Sequence, residues 1–264
     1  MLPFYIVSDL LVNYGFIDIL AFIFNNLIKK IFGLSGNASF VIFFSMLTGF
    51  PSSAKYIKNL LDNNFISIEE ANKLIRFTHF SNPLFIINVI GSIIIGNKTL
   101  GIFVLLSHYL SNFIIGFIYR AEKIKDISAP QKNAQKSLSE VLTKSFLESF
   151  NSLLIVLGSL ITFNLLTKIV YYYFDLLPIL NLMIESILEI TQGLFKLKTM
   201  RFSPDIKALI STMIISFGGL CIHMQVSSIL ADTKIKYKNY LISRIFQTIL
   251  APIILIILLF IYRI

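Results

Sequence analysis

Apolar residues run through this chain in long blocks. Four of the blocks, residues 77–97, 99–119, 208–231 and 245–262, are about as long as a bilayer is thick and hold no formal charge. A helix needs roughly 20 mostly apolar residues to cross the hydrocarbon core, so the pattern predicts membrane-spanning helices. Residues 2–23 form a further apolar stretch, interrupted by Asp9 and Asp18, and 24–32 a second one ending at Lys29 and Lys30. Residues 41–50 are apolar but stop at Gly49-Phe50-Pro51-Ser52-Ser53, with Lys55 just beyond. About ten apolar residues suit a re-entrant segment better than a span. Glycine and proline suit its tip. Ser67-Ile68-Glu69-Glu70 has the spacing of a capping box and predicts a polar helix running through Arg76.

Residues 77–97 and 99–119 read as a tight helical hairpin turning at Gly96-Asn97-Lys98. The next stretch, 120–144, is hydrophilic and carries Arg120, Lys123, Lys125, Lys132, Lys136 and Lys144 against Glu122, Asp126 and Glu140. The second half repeats the style of the first. Apolar stretches occupy 146–167, 176–195 with Glu185 and Glu189 inside, 208–231 broken at Gly218-Gly219, and 240–262 with Pro252. The expected fold class is an all-α polytopic membrane protein of two weakly similar, inverted repeats with broken or re-entrant helices. The first repeat is 1–120, with its re-entrant segment near 38–54. A basic cytoplasmic linker follows at 121–144. The second repeat is 145–264, with broken helices near 189–195 and 208–231. Paired interrupted segments in corresponding positions point to a transport site between repeats. Basic residues flanking the hairpin, against Lys98 alone at its tip, place the linker in the cytoplasm and Lys98 outside.

Composition narrows the class further. The chain is 56% hydrophobic and 14% charged, whereas soluble domains carry about 25% charged residues, so an ordinary soluble enzyme is excluded. The net charge of +9 lies between apolar segments, which fits an anionic membrane face rather than nucleic acid. Cys221 is the only cysteine, so neither an intrachain disulfide nor a thiolate metal cluster is available. The three histidines lack metal-ligand spacing. Phosphate loop, nucleophile elbow and dinucleotide fingerprint are absent from the sequence. No enzymatic role, cofactor or metal is expected. Met1 is followed at once by apolar sequence with no basic n-region, so the first segment is expected to stay as a helix rather than be cleaved.

Polar groups at membrane depth are costly and mark candidate sites. At the break from Gly49 to Lys55, free backbone N–H groups, the Ser52 and Ser53 hydroxyls and the Lys55 ammonium would together hold a carboxylate. The plainer reading is an interfacial turn with a snorkelling lysine. Ser81 and Asn82 either cap a helix starting at Pro83 or, with His79, meet a ligand. His108 and Asn112, four apart on one helix face, either line a path or bond a neighbouring helix. Glu189 and Thr191 suggest a coupling-ion or proton role, against simple pairing of the acid with Lys196, Lys198 or Arg201. His223 and Gln225 follow the Gly218-Gly219 break, where unwound backbone exposes carbonyls. Packing against a repeat partner is the alternative.

Several of these motifs carry a family resemblance. Leu2-Pro3-Phe4, Gly49-Phe50-Pro51-Ser52-Ser53-Ala54-Lys55, Phe77-Thr78-His79-Phe80-Ser81-Asn82-Pro83, Ser107-His108-Tyr109-Leu110, Glu189-Ile190-Thr191-Gln192-Gly193 and the run from Phe217 to Gln225 resemble the YlbJ-like sporulation integral membrane proteins. These belong to the wider nucleoside-recognition gate domain group, which shares repeats with nucleoside and ferrous-iron transporters. Members of the family carry a further helix ahead of the Leu-Pro-Phe motif. The resemblance implies residence in a bacterial cell membrane, the outer forespore membrane, and export of dipicolinic acid during endospore formation. Dipicolinate is a small planar dianion, and the broken-helix ends, hydroxyls and lysine suit that class. The expected partners are thus a small organic anion and the lipid bilayer, with a homo-oligomer compatible. The competing readings are a non-transporting membrane assembly factor for sporulation and a gate-type transporter of nucleosides.

Overall fold

The computed structural model describes residues 2–120 and 137–263. Among them the regular structure is all helical, without strands. In chain order the elements are α1 (Leu2–Asn13), α2 (Phe16–Phe32), α3 (Ala38–Thr48), α4 (Ser52–Asp62), α5 (Ile68–Phe77), the wider π-helical segment π1 (Phe85–Ile95), α6 (Lys98–Ile118), α7 (Leu138–Tyr173), α8 (Pro178–Leu188), α9 (Ile190–Thr199), α10 (Pro204–Phe217), α11 (Gly219–Ile229) and α12 (Tyr237–Arg263). Four stretches are long and apolar enough to span a membrane: α6, α7, α10 with α11, and α12. The pair α1 and α2 adds a fifth if it counts as one span bent by 82°. Leu147, Leu154, Ile161 and Leu165 on α7, and Phe22 on α2, are more than half exposed or close to it. These are the faces a lipid solvent would cover.

Local chemistry explains the boundaries. Ser67 and Glu70 make both bonds of the expected capping box, and Glu70 also accepts the Ser35 N–H at 2.6 Å, tying α5 to the turn after α2. Ser137 and Glu140 form a second such box, so 138–144 are the first turns of α7 rather than linker. The rest of the expected linker, 121–136, lies outside the described residues. The hairpin of π1 and α6 turns at Gly96, with Asn97 capping α6 through the Leu100 N–H. Its two limbs touch backbone to backbone, because a Cβ on Gly91 would sit 2.9 Å from the Gly101 Cα.

The stretch expected to cross as one helix over 77–97 does not do so. Residues 78–82 leave the helix and Pro83 restarts it. Proline disfavours helical geometry in the residue before it, and Asn82 Oδ1 accepts the Leu84 and Phe85 N–H groups, fixing the restart. Residues 176–195 likewise divide at Glu189, whose backbone is extended.

The two halves interlock. The last helix, α12, packs on α5 and α6 of the first half and on α10 of the second, while α7 packs on α1 and α11.

Candidate functional site

The interruptions in four helices meet in a row. A Cβ on Gly49, between α3 and α4, would lie 2.8 Å from the Asn82 backbone nitrogen. In the same contact the Phe50 and His79 rings stack at 4.5 Å. A Cβ on Gly218, between α10 and α11, would lie 2.8 Å from His79 Nε2. One on Gly219 would meet Ile190 and the Leu188 carbonyl, at the break between α8 and α9. Gly49 has φ +81° and Gly218 φ +90°, a region that side chains other than glycine's adopt at a cost. The backbone is thus both turned and closely packed at each crossing.

Around this row lies a buried polar cluster. His108 Nε2, from α6, accepts the Ser81 N–H at 3.1 Å, and Nδ1 meets Ser216 Oγ at 3.2 Å. Since Nε2 accepts from a backbone amide, the ring is neutral with its proton on Nδ1. Asn112 Nδ2 donates to the His79 carbonyl at 2.8 Å, and Asn82 Nδ2 to the Leu47 carbonyl at 2.7 Å. His79 Nδ1 is bonded to Tyr240 Oη at 2.9 Å. His223 bridges Tyr237 Oη at 2.7 Å and the Phe217 carbonyl at 3.0 Å, satisfying the end of α10. Ser81, Asn82, His108, Asn112 and His223, expected from distant segments, therefore share one site.

Three further residues of α12 complete it: Tyr240, Arg244 and Gln247, all fully buried. Arg244 donates to Asn112 Oδ1, to Gln247 Oε1 and to the Arg76 carbonyl at the end of α5. Gln247 donates to the His108 carbonyl and to Ser111 Oγ, each at 3.0 Å. Sequence reasoning passed over these residues because Arg244 stands one position before the uncharged block 245–262. The spacing of Tyr240, Arg244 and Gln247, four then three, is a polar stripe on one face of an apolar helix and was readable as such.

The other expected residues lie elsewhere. Ser52, Ser53 and Lys55 are buried in the first turn of α4. Ser52 Oγ donates to Tyr5 Oη at 3.3 Å. Lys55 Nζ is 3.2 Å from Asp9 Oδ2 and 2.9 Å from Ser149 Oγ, and lies over the Tyr5 ring at 4.5 Å. The Lys55 ammonium thus already has its acid, which sequence reading had placed in an ordinary interruption of the first helix. Glu189 accepts the Gln192 N–H at 3.0 Å and the Thr191 hydroxyl, so acid and hydroxyl together cap α9. Gln225 donates to Cys221 Sγ at 3.3 Å.

The Lys55–Asp9 pair sits at the wall of a cavity of about 840 Å³ between α1, α4, the start of α7 and the end of α11. Lys58, Glu148, Ser152 and Asp232 also line it. Lys58 donates to both Asp232 carboxylate oxygens at 2.6 Å, and this bond holds the Asp232 carboxyl below its ordinary range.

No family model matches the chain, and no solved structure matches it. It is 28% identical over 291 aligned positions to the sporulation integral membrane protein YlbJ of Bacillus subtilis (strain 168), an alignment that takes in 96% of this chain and 71% of that protein. That similarity takes in nearly the whole chain, and the apolar helices are long enough to cross a bilayer, so this is an integral membrane protein similar to YlbJ.

Proposed function

We propose that this chain is a transporter of a small organic anion, dipicolinate in endospore formation, with the substrate taken up at the broken-helix ends between its two halves. The observation that carries the reading is the meeting of four helix interruptions at one buried polar cluster. Irregular backbone at membrane depth is tolerated where it is enclosed by protein or lines a path, and discontinuous helices are the usual form of a transport site. The interlocked halves, each contributing two interruptions, fit two repeats that move against one another. The sporulation name of the Bacillus subtilis relative supports the setting.

The deciding experiment is uptake of labelled dipicolinate into proteoliposomes, beside a nucleoside and a divalent metal ion. Saturable uptake of dipicolinate alone is expected. Uptake of the nucleoside alone would transfer the reading to the gate-type nucleoside class. No uptake of any solute by folded protein would leave a membrane assembly role.

A further inference from the structure

Among the described residues two cations, Lys55 and Arg244, are deeply buried, and one of them has an acid. Lys55 is paired with Asp9 at 3.2 Å. Arg244, 0% exposed, forms no ion pair among the described residues. Its bonds go to neutral acceptors: Asn112 Oδ1, Gln247 Oε1 and the Arg76 carbonyl. Its Nε carries no partner. Asn112 links Arg244 to the unwound residues 78–82, accepting from Arg244 and donating to the His79 carbonyl, and Tyr240 is bonded to His79. A buried charge held only by neutral groups is costly, and buried charges are ordinarily paired. A guanidinium with an unsatisfied edge and no acid is the arrangement that a carboxylate completes.

We infer that Arg244 is the residue that reads the charge of the substrate: a carboxylate of a small organic anion takes the place of its missing acid, with Asn112, Gln247 and His79 around it. This rests on the transport reading for the solute's route, but not for its binding. Lys55, neutralised by Asp9, is then not the recognition cation.

Binding to purified protein in detergent tests it, with labelled pyridine-2,6-dicarboxylate and the uncharged pyridine-2,6-dicarboxamide as probes and with chloride and inorganic phosphate as competitors. Wild type should prefer the dicarboxylate. Arg244→Gln should lose that preference, weakening the dicarboxylate by about tenfold or more while leaving the diamide unchanged. Arg244 also closes the end of α5, so Gln247→Glu provides a second arm in which the fold keeps its arginine. An internal carboxylate on the guanidinium should exclude the dianion by a similar factor. Wild-type affinity for the dicarboxylate in a folded Arg244→Gln or Gln247→Glu protein would overturn the assignment. Equal competition by chloride or phosphate would overturn its organic-anion class. Dicarboxylate binding that depends on Arg244, without uptake into proteoliposomes, would sink transport and leave Arg244 as the anion site. Uptake of dipicolinate indifferent to both variants would do the reverse.

Discussion

Lys55 on α4 and Asp9 on α1 meet at 3.2 Å with both side chains almost wholly buried, so the cation that the sequence offers as a free anion ligand is internally neutralised. Breaking such a pair leaves one uncompensated charge, which costs about 3–5 kcal/mol. Lys55→Gln and Asp9→Asn should each lower thermal stability in detergent by about that amount, and the double variant should recover much of it. Lys58→Gln removes a largely solvated pair and should cost no more than about 1 kcal/mol. Equal losses for Lys55→Gln and Lys58→Gln would show the buried pair to be no more than a surface contact.

The Lys58–Asp232 pair gives a pH signature. Because the folded carboxyl of Asp232 lies below its unfolded value, its contribution is present above about pH 4 and is lost as the pH falls through the lower folded value. The stability difference between wild type and Asp232→Asn should therefore hold near neutrality and close under acid. A difference that grew on acidification would contradict the bond.

His108 fixes the unwound residues 78–82 to α6 through the Ser81 N–H. His108→Leu leaves that buried donor unmet and should cost about 1–3 kcal/mol. Since Nε2 accepts from a backbone amide, the stability cost should be the same at about pH 6 and pH 7. A cost that differed between the two would mean that His108 titrates in that range.

Glycine to alanine changes separate turning from crowding. Gly96 has φ +77° with nothing within 4 Å of a Cβ, so Gly96→Ala should cost roughly 1–2 kcal/mol of backbone strain. Gly218→Ala meets the His79 ring as well and should cost about 1–3 kcal/mol more. Denaturation midpoints in one detergent compare them directly. Equal losses would mean that the interruptions do not press on one another.

Orientation is testable by cysteine labelling at positions 98 and 130 in a chain lacking Cys221. The six basic residues of 120–144 against Lys98 predict labelling of 98 from outside and of 130 from the cytoplasm. The opposite pattern would invert the topology.

The elements of this fold were legible wherever the cause is local. The hairpin turn at Gly96-Asn97, the capping box at Ser67 and the break at Gly218-Gly219 follow from side chains within a few residues of the backbone they control. The exit from the helix at 78–82 was half legible. Pro83 announced a cap, but that 77–97 would not cross as one helix depended on what receives the freed backbone: His108, Asn112 and Tyr109 on α6.

By itself the sequence determined that this is a bilayer protein built of helices with marked interruptions, because apolar length and the Gly, Pro and Asn breaks act along the chain. It also marked His79, His108, Asn112 and His223 among the polar residues of the apolar stretches, while Tyr240, Arg244 and Gln247 went unmarked. Only the tertiary structure decided how they are partnered. Lys55 found Asp9 across 46 positions, while Arg244 found neutral acceptors on α5, α6 and its own helix. Charge at a site is the sum over neighbours in space. Two cations that look alike in sequence therefore end as a closed ion pair and a guanidinium held by neutral acceptors alone.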